Sequence, residues 1–245
     1  MILEAIDLGF AYKPGKPILE DVNWECMPGA ISVLAGVNGC GKSTLLKCLA
    51  GLLVPTGGEV WLDDTPLKKI PVKKRAELLA YLPQNPVIPE SFTVKELLEC
   101  SRYSLRDSAG HRREIIHRTM EECGISHLAE RQFMQISGGE KQRALLAFAL
   151  VRETRILLLD EPFSALDPAA FRELFSLLIR LKKERSISVV TVLHDINRAL
   201  NYGDRIVGVK NGTVQFDLPP AKAAEKVPQL YDLAGDAIIN GKFFL

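Results

Sequence analysis

Apolar and polar positions alternate over residues 1–24, with Ile2, Ala5, Ile6 and Leu8, a Lys13-Pro14-Gly15-Lys16 turn, then Ile18, Leu19, Val22 and Trp24. This period of two predicts an antiparallel hairpin. The continuous apolar run Ala30–Ala35 predicts a buried strand, and Thr44–Ala50 a helix that stops at Gly51. The turn Pro55-Thr56-Gly57-Gly58 leads into a strand at Glu59–Leu62, which the turn Asp63-Asp64 closes. From about residue 85 to 152 the period becomes helical, over Val94–Arg102, Arg112–Glu122 and Gly138–Leu150. Core strands return at Arg155–Asp160 and Ser188–Leu193, with a helix at Ala169–Glu184 between them. A last hairpin, Arg205–Val209 and Thr213–Phe216, turns on Asn211-Gly212. Buried strands alternating with helices predict a parallel sheet covered on both faces. The expected fold is therefore an α/β core with an N-terminal antiparallel β subdomain and an α-helical subdomain inserted at roughly 86–152.

Composition changes this picture little. The 245 residues carry ample apolar content for a core, and a formal net charge of +1 gives no global attraction to nucleic acid. The basic run Lys68-Lys69, Lys73-Lys74-Arg75 reads as a solvated face. Five cysteines without a C-x-x-C pair suit a reducing compartment. The N-terminus shows no basic region followed by an apolar one, so no signal peptide is expected. No apolar run approaches the ~20 residues needed to span a bilayer.

Candidate chemistry begins with Gly36-Val37-Asn38-Gly39-Cys40-Gly41-Lys42-Ser43-Thr44, which fits G-x-x-x-x-G-K-[ST] between a strand and a helix. Glycines at 36, 39 and 41 let backbone amides turn inward, and the helix that follows adds its N-terminal amides and dipole. Lys42 supplies a charge to β- and γ-phosphates, and the Ser43 hydroxyl can reach Mg²⁺. The second constellation is the apolar strand ending in Asp160-Glu161. The first carboxylate can hold Mg²⁺, and the second can orient and deprotonate an attacking water.

Ile136-Ser137-Gly138-Gly139-Glu140-Lys141-Gln142-Arg143, placed shortly before that strand, resembles the signature motif of ATP-binding cassette (ABC) ATPases. The remaining marks follow in the family's order. Tyr12 resembles the adenine-stacking aromatic, and Gln84 the glutamine of the loop joining core to helical subdomain. Ser164-Ala165-Leu166-Asp167 resembles the D-loop, and His194 the switch histidine. The resemblance implies a P-loop NTPase (RecA-like) core within a single ABC ATPase domain over 1–245. Residues 1–85 and 153–245 would form the nucleotide-binding core with its β subdomain, and 86–152 the helical signature subdomain.

The same resemblance implies ATP and Mg²⁺ as cofactors. Catalysis would fall to Glu161, His194, Lys42 and Gln84, and metal binding to Ser43, Gln84 and Asp160. Nucleotide contacts would come from Tyr12, Gly36, Asn38, Gly39, Cys40, Gly41, Lys42, Ser43 and Thr44, with Ser137, Gly138, Gly139 and Asp167. In the family, the signature helix meets the γ-phosphate held by the other subunit, which implies a head-to-tail homodimer. Glu140 stands where the family usually has Gln. Because Ser137-x-x-Glu140 is also a capping box, the carboxylate is expected to turn back onto the backbone rather than face phosphate.

The segments Phe92–Tyr103 and Val192–Asn197, with the ending Leu230-Tyr231…Gly241-Lys242-Phe243-Phe244, look most like ATPases for iron–siderophore, haem and cobalamin uptake. This implies integral membrane permease subunits as partners, an extracytoplasmic substrate-binding protein in the full system, and no nucleic acid. The chain would sit at the cytoplasmic side of the cell membrane, peripheral through the permease. Related importers of zinc, manganese or molybdate, an exporter ATPase, and a non-transport ABC ATPase of translation or DNA repair remain open at this point.

Overall fold

A computed structural model of the chain describes residues 1–163, 166–233, 238–239 and 242–243. The fold is mixed α/β, and it divides into two compact units, Met1–Ile70 with Ser188–Leu245, and Pro71–Ile187. The first unit starts with β1 (Leu3–Lys13), β2 (Lys16–Cys26), β3 (Ile31–Ala35), α1 (Lys42–Leu49), β4 (Gly57–Leu62) and β5 (Thr65–Pro66). The second unit runs through α2 (Val72–Leu78), β6 (Leu79–Leu82), α3 (Val94–Arg102), α4 (Ala109–Glu122), α5 (Gly138–Leu150), β7 (Ile156–Leu159) and α6 (Pro168–Arg185). The chain then returns to the first unit with β8 (Ser188–Val192), α7 (Ile196–Tyr202), β9 (Arg205–Lys210) and β10 (Thr213–Leu218). It closes with α8 (Pro220–Ala224), α9 (Val227–Tyr231), β11 (Ile238–Ile239) and β12 (Lys242–Phe243). Among the described residues no helix is long and apolar enough to cross a membrane.

In the first unit, β2, β1, β4 and β5 lie side by side as an antiparallel sheet. The register Leu3↔Cys26, Ala5↔Trp24 and Leu8↔Val22 turns the buried alternate residues of both strands to one face. The expected hairpin is therefore present, with its strands meeting at Pro14-Gly15. A second sheet places β3 parallel to both β8 and β9, and β10 antiparallel to β9. Every residue of β3 and β8 is buried, which explains why these strands read as unbroken apolar runs rather than alternations. α1 packs on β1 and β8 through Leu45, Leu46 and Leu49, all fully buried. Burying each leucine contributes about 1.5–3 kcal/mol.

In the second unit, β6 and β7 pair in parallel, with Leu79↔Ile156 and Leu82↔Leu159 in register. α5 packs on β6 and on α3. Phe163, Phe171 and Phe175 form a buried aromatic cluster with ring centroids 5.3–5.6 Å apart, which holds α6 to the segment after β7. Arg102, only 3% exposed, is neutralised by Asp107 at 2.7 Å and also donates to the Val151 carbonyl. The bounds of α3 and α5 agree with the sequence pattern. The short helices α2, α7, α8 and α9 carry no pattern strong enough to predict them.

Candidate functional site

The phosphate-loop residues lie in the first unit, where β3 runs out at Gly36. Gly36 has φ +149°, and a Cβ built there would lie 2.1 Å from the Val209 carbonyl oxygen, so no side chain fits. Gly41, at φ +109°, caps α1 and faces Leu19 Cδ2 at 2.8 Å from such a Cβ. Between them Val37, Asn38 and Gly39 are exposed. The loop is thus pinned at both ends and open in the middle.

Lys42 points back into this loop. Its Nζ donates to the carbonyls of Gly36 at 2.8 Å and Val37 at 2.9 Å, and lies 3.8 Å from Cys40 Sγ. The first turn of α1 holds no acidic side chain. A cation on the loop carbonyls, a helix start with no acidic side chain and an open backbone strip together fit a chain of phosphates. Ser43 is half-buried on the same turn, and Thr44 Oγ1 lies 3.5 Å from the Tyr12 hydroxyl. The Tyr12 ring stands edge-on to Phe10 with centroids 4.8 Å apart, and is 58% exposed. An exposed ring braced from below can serve as a stacking platform for a base. His194 follows β8 and is exposed, one residue before Asp195, which caps α7 by accepting from the amides of Asn197 and Arg198.

The second unit brings Gln84, Asp160 and Glu161 together. Because Leu82 and Leu159 are in register, the residues just beyond them leave the same end of the pair. Asp160, 3% exposed, accepts from the Tyr81 hydroxyl at 3.2 Å. Glu161 is 9% exposed and accepts from Gln84 Nε2. Its φ of +52° is left-handed, a conformation costing on the order of 1–3 kcal/mol for a non-glycine residue. Such strain concentrates where a side chain must be aimed. Taken each within its own unit, Ser43 and Asp160 carry side-chain oxygens of the kind that a hard cation such as Mg²⁺ takes.

At the start of α5 the capping box is complete. Glu140 N donates to Ser137 Oγ at 3.4 Å, and the Glu140 carboxylate accepts from Ser137 N at 2.8 Å and from Ser137 Oγ at 2.7 Å. The carboxylate is turned onto its own helix end, as expected. These bonds hold its pKa below the ordinary carboxylate value, so the capped form persists at neutral pH and is lost as pH falls through that lowered value. A Cβ at Gly138 or Gly139 would meet nothing within 4 Å. Packing within this chain therefore does not require glycine there, whereas close approach of another molecule would. Asp167 caps α6 through the amides of Ala169 and Ala170. Ser164 and Ala165 of the same tetrad lie outside the described residues, as do Gly241 and Phe244.

The family described as ABC transporter matches residues 19–164. The chain belongs to this family. It is an ABC ATPase with a P-loop NTPase core, it binds ATP, and it hydrolyses it. The petrobactin import ATP-binding protein FpuD of Bacillus anthracis is 36% identical over 213 residues, covering 85% of this chain and 78% of that protein. The hemin import ATP-binding protein HmuV of Bordetella pertussis is 34% identical over 251 residues, covering 98% and 95%. The solved dimeric structure of MJ0796, a bacterial ABC transporter cassette, superposes with a TM-score of 0.79 at 29% identity, over 89% of this chain and 98% of that one.

Two contacts escaped the sequence pattern of this ABC ATPase. Tyr81 and Tyr231 place hydroxyls on Asp160 and on the Gly36 amide, respectively. Nothing local marks either one, since each partner lies 79 or 195 positions away. Ser101 and Arg102, at the end of α3, are buried. Both are 3% exposed, and Ser101 Oγ donates to the Phe148 carbonyl at 2.7 Å, so they hold the helices together while Tyr103 alone of the three stands exposed.

Proposed function

We propose that this ABC ATPase is the energy-coupling subunit of an importer for a metal chelate, of the siderophore-iron, haem or cobalamin kind. The observation carrying this reading is that relatives at 34–38% identity over most of the chain are named for petrobactin, iron–hydroxamate and hemin import. Its partners would be integral membrane permease subunits, with a substrate-binding protein outside the membrane. The chain would act from the cytoplasmic face. Val87, fully exposed in the loop after Gln84, is a candidate permease contact.

The residue roles on this reading are those the family resemblance implies, and the geometry within each unit supports them. Tyr12 stacks the adenine, and the 36–44 loop with Lys42 holds the phosphates. Ser43 and Asp160, with Gln84, would hold Mg²⁺, whose charge, when bound, offsets that of the β- and γ-phosphate oxygens. Glu161 takes a proton from the water that attacks the γ-phosphorus as the bond to the ADP oxygen breaks, giving ADP and phosphate. Gln84 orients Glu161 through the hydrogen bond between them. His194 steadies the water and the γ-phosphate. Ser137, Gly138 and Gly139 of a second copy, with its Asp167, complete the site in a head-to-tail dimer, for which the open glycines and the dimeric neighbour are the support. The helical subdomain of this single-domain cassette would span 86–152.

Glu140 takes no part in catalysis on this reading. Glu140→Gln is expected to keep ATPase activity or raise it modestly, because Gln retains an acceptor for the Ser137 amide and removes a negative charge from the approach to phosphate. A collapse of turnover in that variant, followed by phosphate release, would give Glu140 a direct catalytic part.

The importer reading is tested by isolating the tagged chain from membranes with its permease and reconstituting the complex in vesicles. ATP turnover is expected to rise when ferric siderophore, haem or cobalamin is supplied with the substrate-binding protein. If none of these chelates stimulates turnover or accumulates in the vesicles, the substrate class is wrong.

A further inference from the structure

The first amide of the phosphate loop is held from outside the loop. Gly36 is buried, and its N–H donates to the Tyr231 hydroxyl at 3.0 Å. Its carbonyl accepts from Lys42 at 2.8 Å, and its α-carbon backs onto the Val209 carbonyl so closely that a Cβ would lie 2.1 Å from that oxygen. Gly36 is therefore gripped on three sides, and Tyr231 supplies the only side-chain hydroxyl among these grips.

Tyr231 is itself firmly placed. It ends α9, whose Val227 and Leu230 are buried and which lies against β9. Lys210, the last residue of β9, donates to the Gln229 carbonyl at 2.8 Å and pairs with Asp232 at 2.6 Å, locking the helix end on both sides of Tyr231. Burial pushes the Tyr231 hydroxyl up to about 12, the Gly36 amide opposes this, and neighbouring Cys40 and Asp195 add to it. The hydroxyl is thus neutral at working pH, and its lone pair faces the amide. The same C-terminal segment is fastened beside His194. Asn197 Nδ2 donates to the Phe243 carbonyl at 2.8 Å, and its Oδ1 accepts from the Phe243 amide at 3.0 Å.

We infer that Tyr231 is a positioning residue for ATP binding, whose hydroxyl sets the Gly36 end of the phosphate loop in its anion-receiving conformation. This rests on the reading of residues 36–44 as the phosphate site. Without the hydroxyl, a buried N–H loses its partner, and the loop must spend part of the binding free energy on being ordered. The loop is arranged the same way for ATP and for the transition state, so the loss falls on uniform binding and appears in KM rather than kcat.

The test is Tyr231→Phe in the full chain, which keeps the ring and its packing. The dissociation constant for ATP, read by titration with a fluorescent nucleotide, and KM are expected to rise by about three- to tenfold, the worth of one hydrogen bond. kcat should stay near the wild-type value. An unchanged dissociation constant together with a lowered unfolding temperature would overturn the inference, because the hydroxyl would then serve the fold alone. Lys42→Ala run in parallel separates the two ideas. If it abolishes nucleotide binding while Tyr231→Phe binds as wild type, only the Tyr231 inference fails. If Lys42→Ala itself binds ATP normally, the phosphate-site reading fails and the inference with it.

Discussion

Glu161→Gln is expected to lower ATP turnover by about two to four orders of magnitude, the range a positioned general base contributes, while ATP binding persists. The amide has the size of the carboxylate and still offers an oxygen to Gln84 Nε2, so the contact that orients residue 161 survives. What it lacks is a lone pair basic enough to take a proton from water. The strained backbone at residue 161, with φ +52°, favours neither side chain over the other, so stability should change little. With hydrolysis blocked, the proposed head-to-tail dimer can no longer separate by consuming ATP, and it should accumulate in ATP. Phosphate release, nucleotide titration and sedimentation velocity check the three parts. A fully active Glu161→Gln enzyme would remove Glu161 from the role of base.

Lys42→Ala is expected to weaken ATP binding by at least about a hundredfold. Lys42 is 6% exposed, with its ammonium on the Gly36 and Val37 carbonyls. Hydrogen bonds from a charged donor are worth about 1.5–3 kcal/mol each, and about 1.4 kcal/mol is tenfold in binding. Loss of the charge facing the phosphates, added to loss of the clasp on the loop, readily exceeds two such steps. The nucleotide-free protein should also unfold at a lower temperature, since two loop carbonyls lose their donor. Equilibrium titration with a fluorescent nucleotide and thermal unfolding measure both. Wild-type affinity with a lowered unfolding temperature would leave Lys42 as a loop clasp only.

The candidate site was legible in the sequence to different depths. The phosphate loop could be read because its requirements are local: a glycine that tolerates φ +149°, a glycine cap on a helix, a lysine in the next position. The Ser137–Glu140 box was equally plain, since a cap reaches only three residues. The partners of these groups were not. Asp160-Glu161 ends an apolar run, but nothing in that run says that Tyr81 will hold the first carboxylate and Gln84 the second. That follows from the parallel register of β6 and β7, which aligns residues 77 positions apart.

The element pattern divides along the same line. The bounds of α3 and α5 match the pattern because each helix is long enough to show its buried face and starts at a capping box, of which the Ser137 box is read from the sequence and the Thr93 box is seen in the structure. α7, α8 and α9 run to seven residues or fewer, too short for a period to register, and packing in the C-terminal region is what holds them helical. By itself, then, the sequence determined the α/β class, the family and the glycine-rich loop between β3 and α1, because caps, turns and apolar runs act within a few residues of the chain. Only the tertiary structure decided that Tyr231 would grip Gly36, that Gln84 would donate to Glu161, and that Glu161 would take a left-handed backbone. Each of these depends on strand register or helix docking between distant segments, where many side chains contribute at once and no short stretch carries the information.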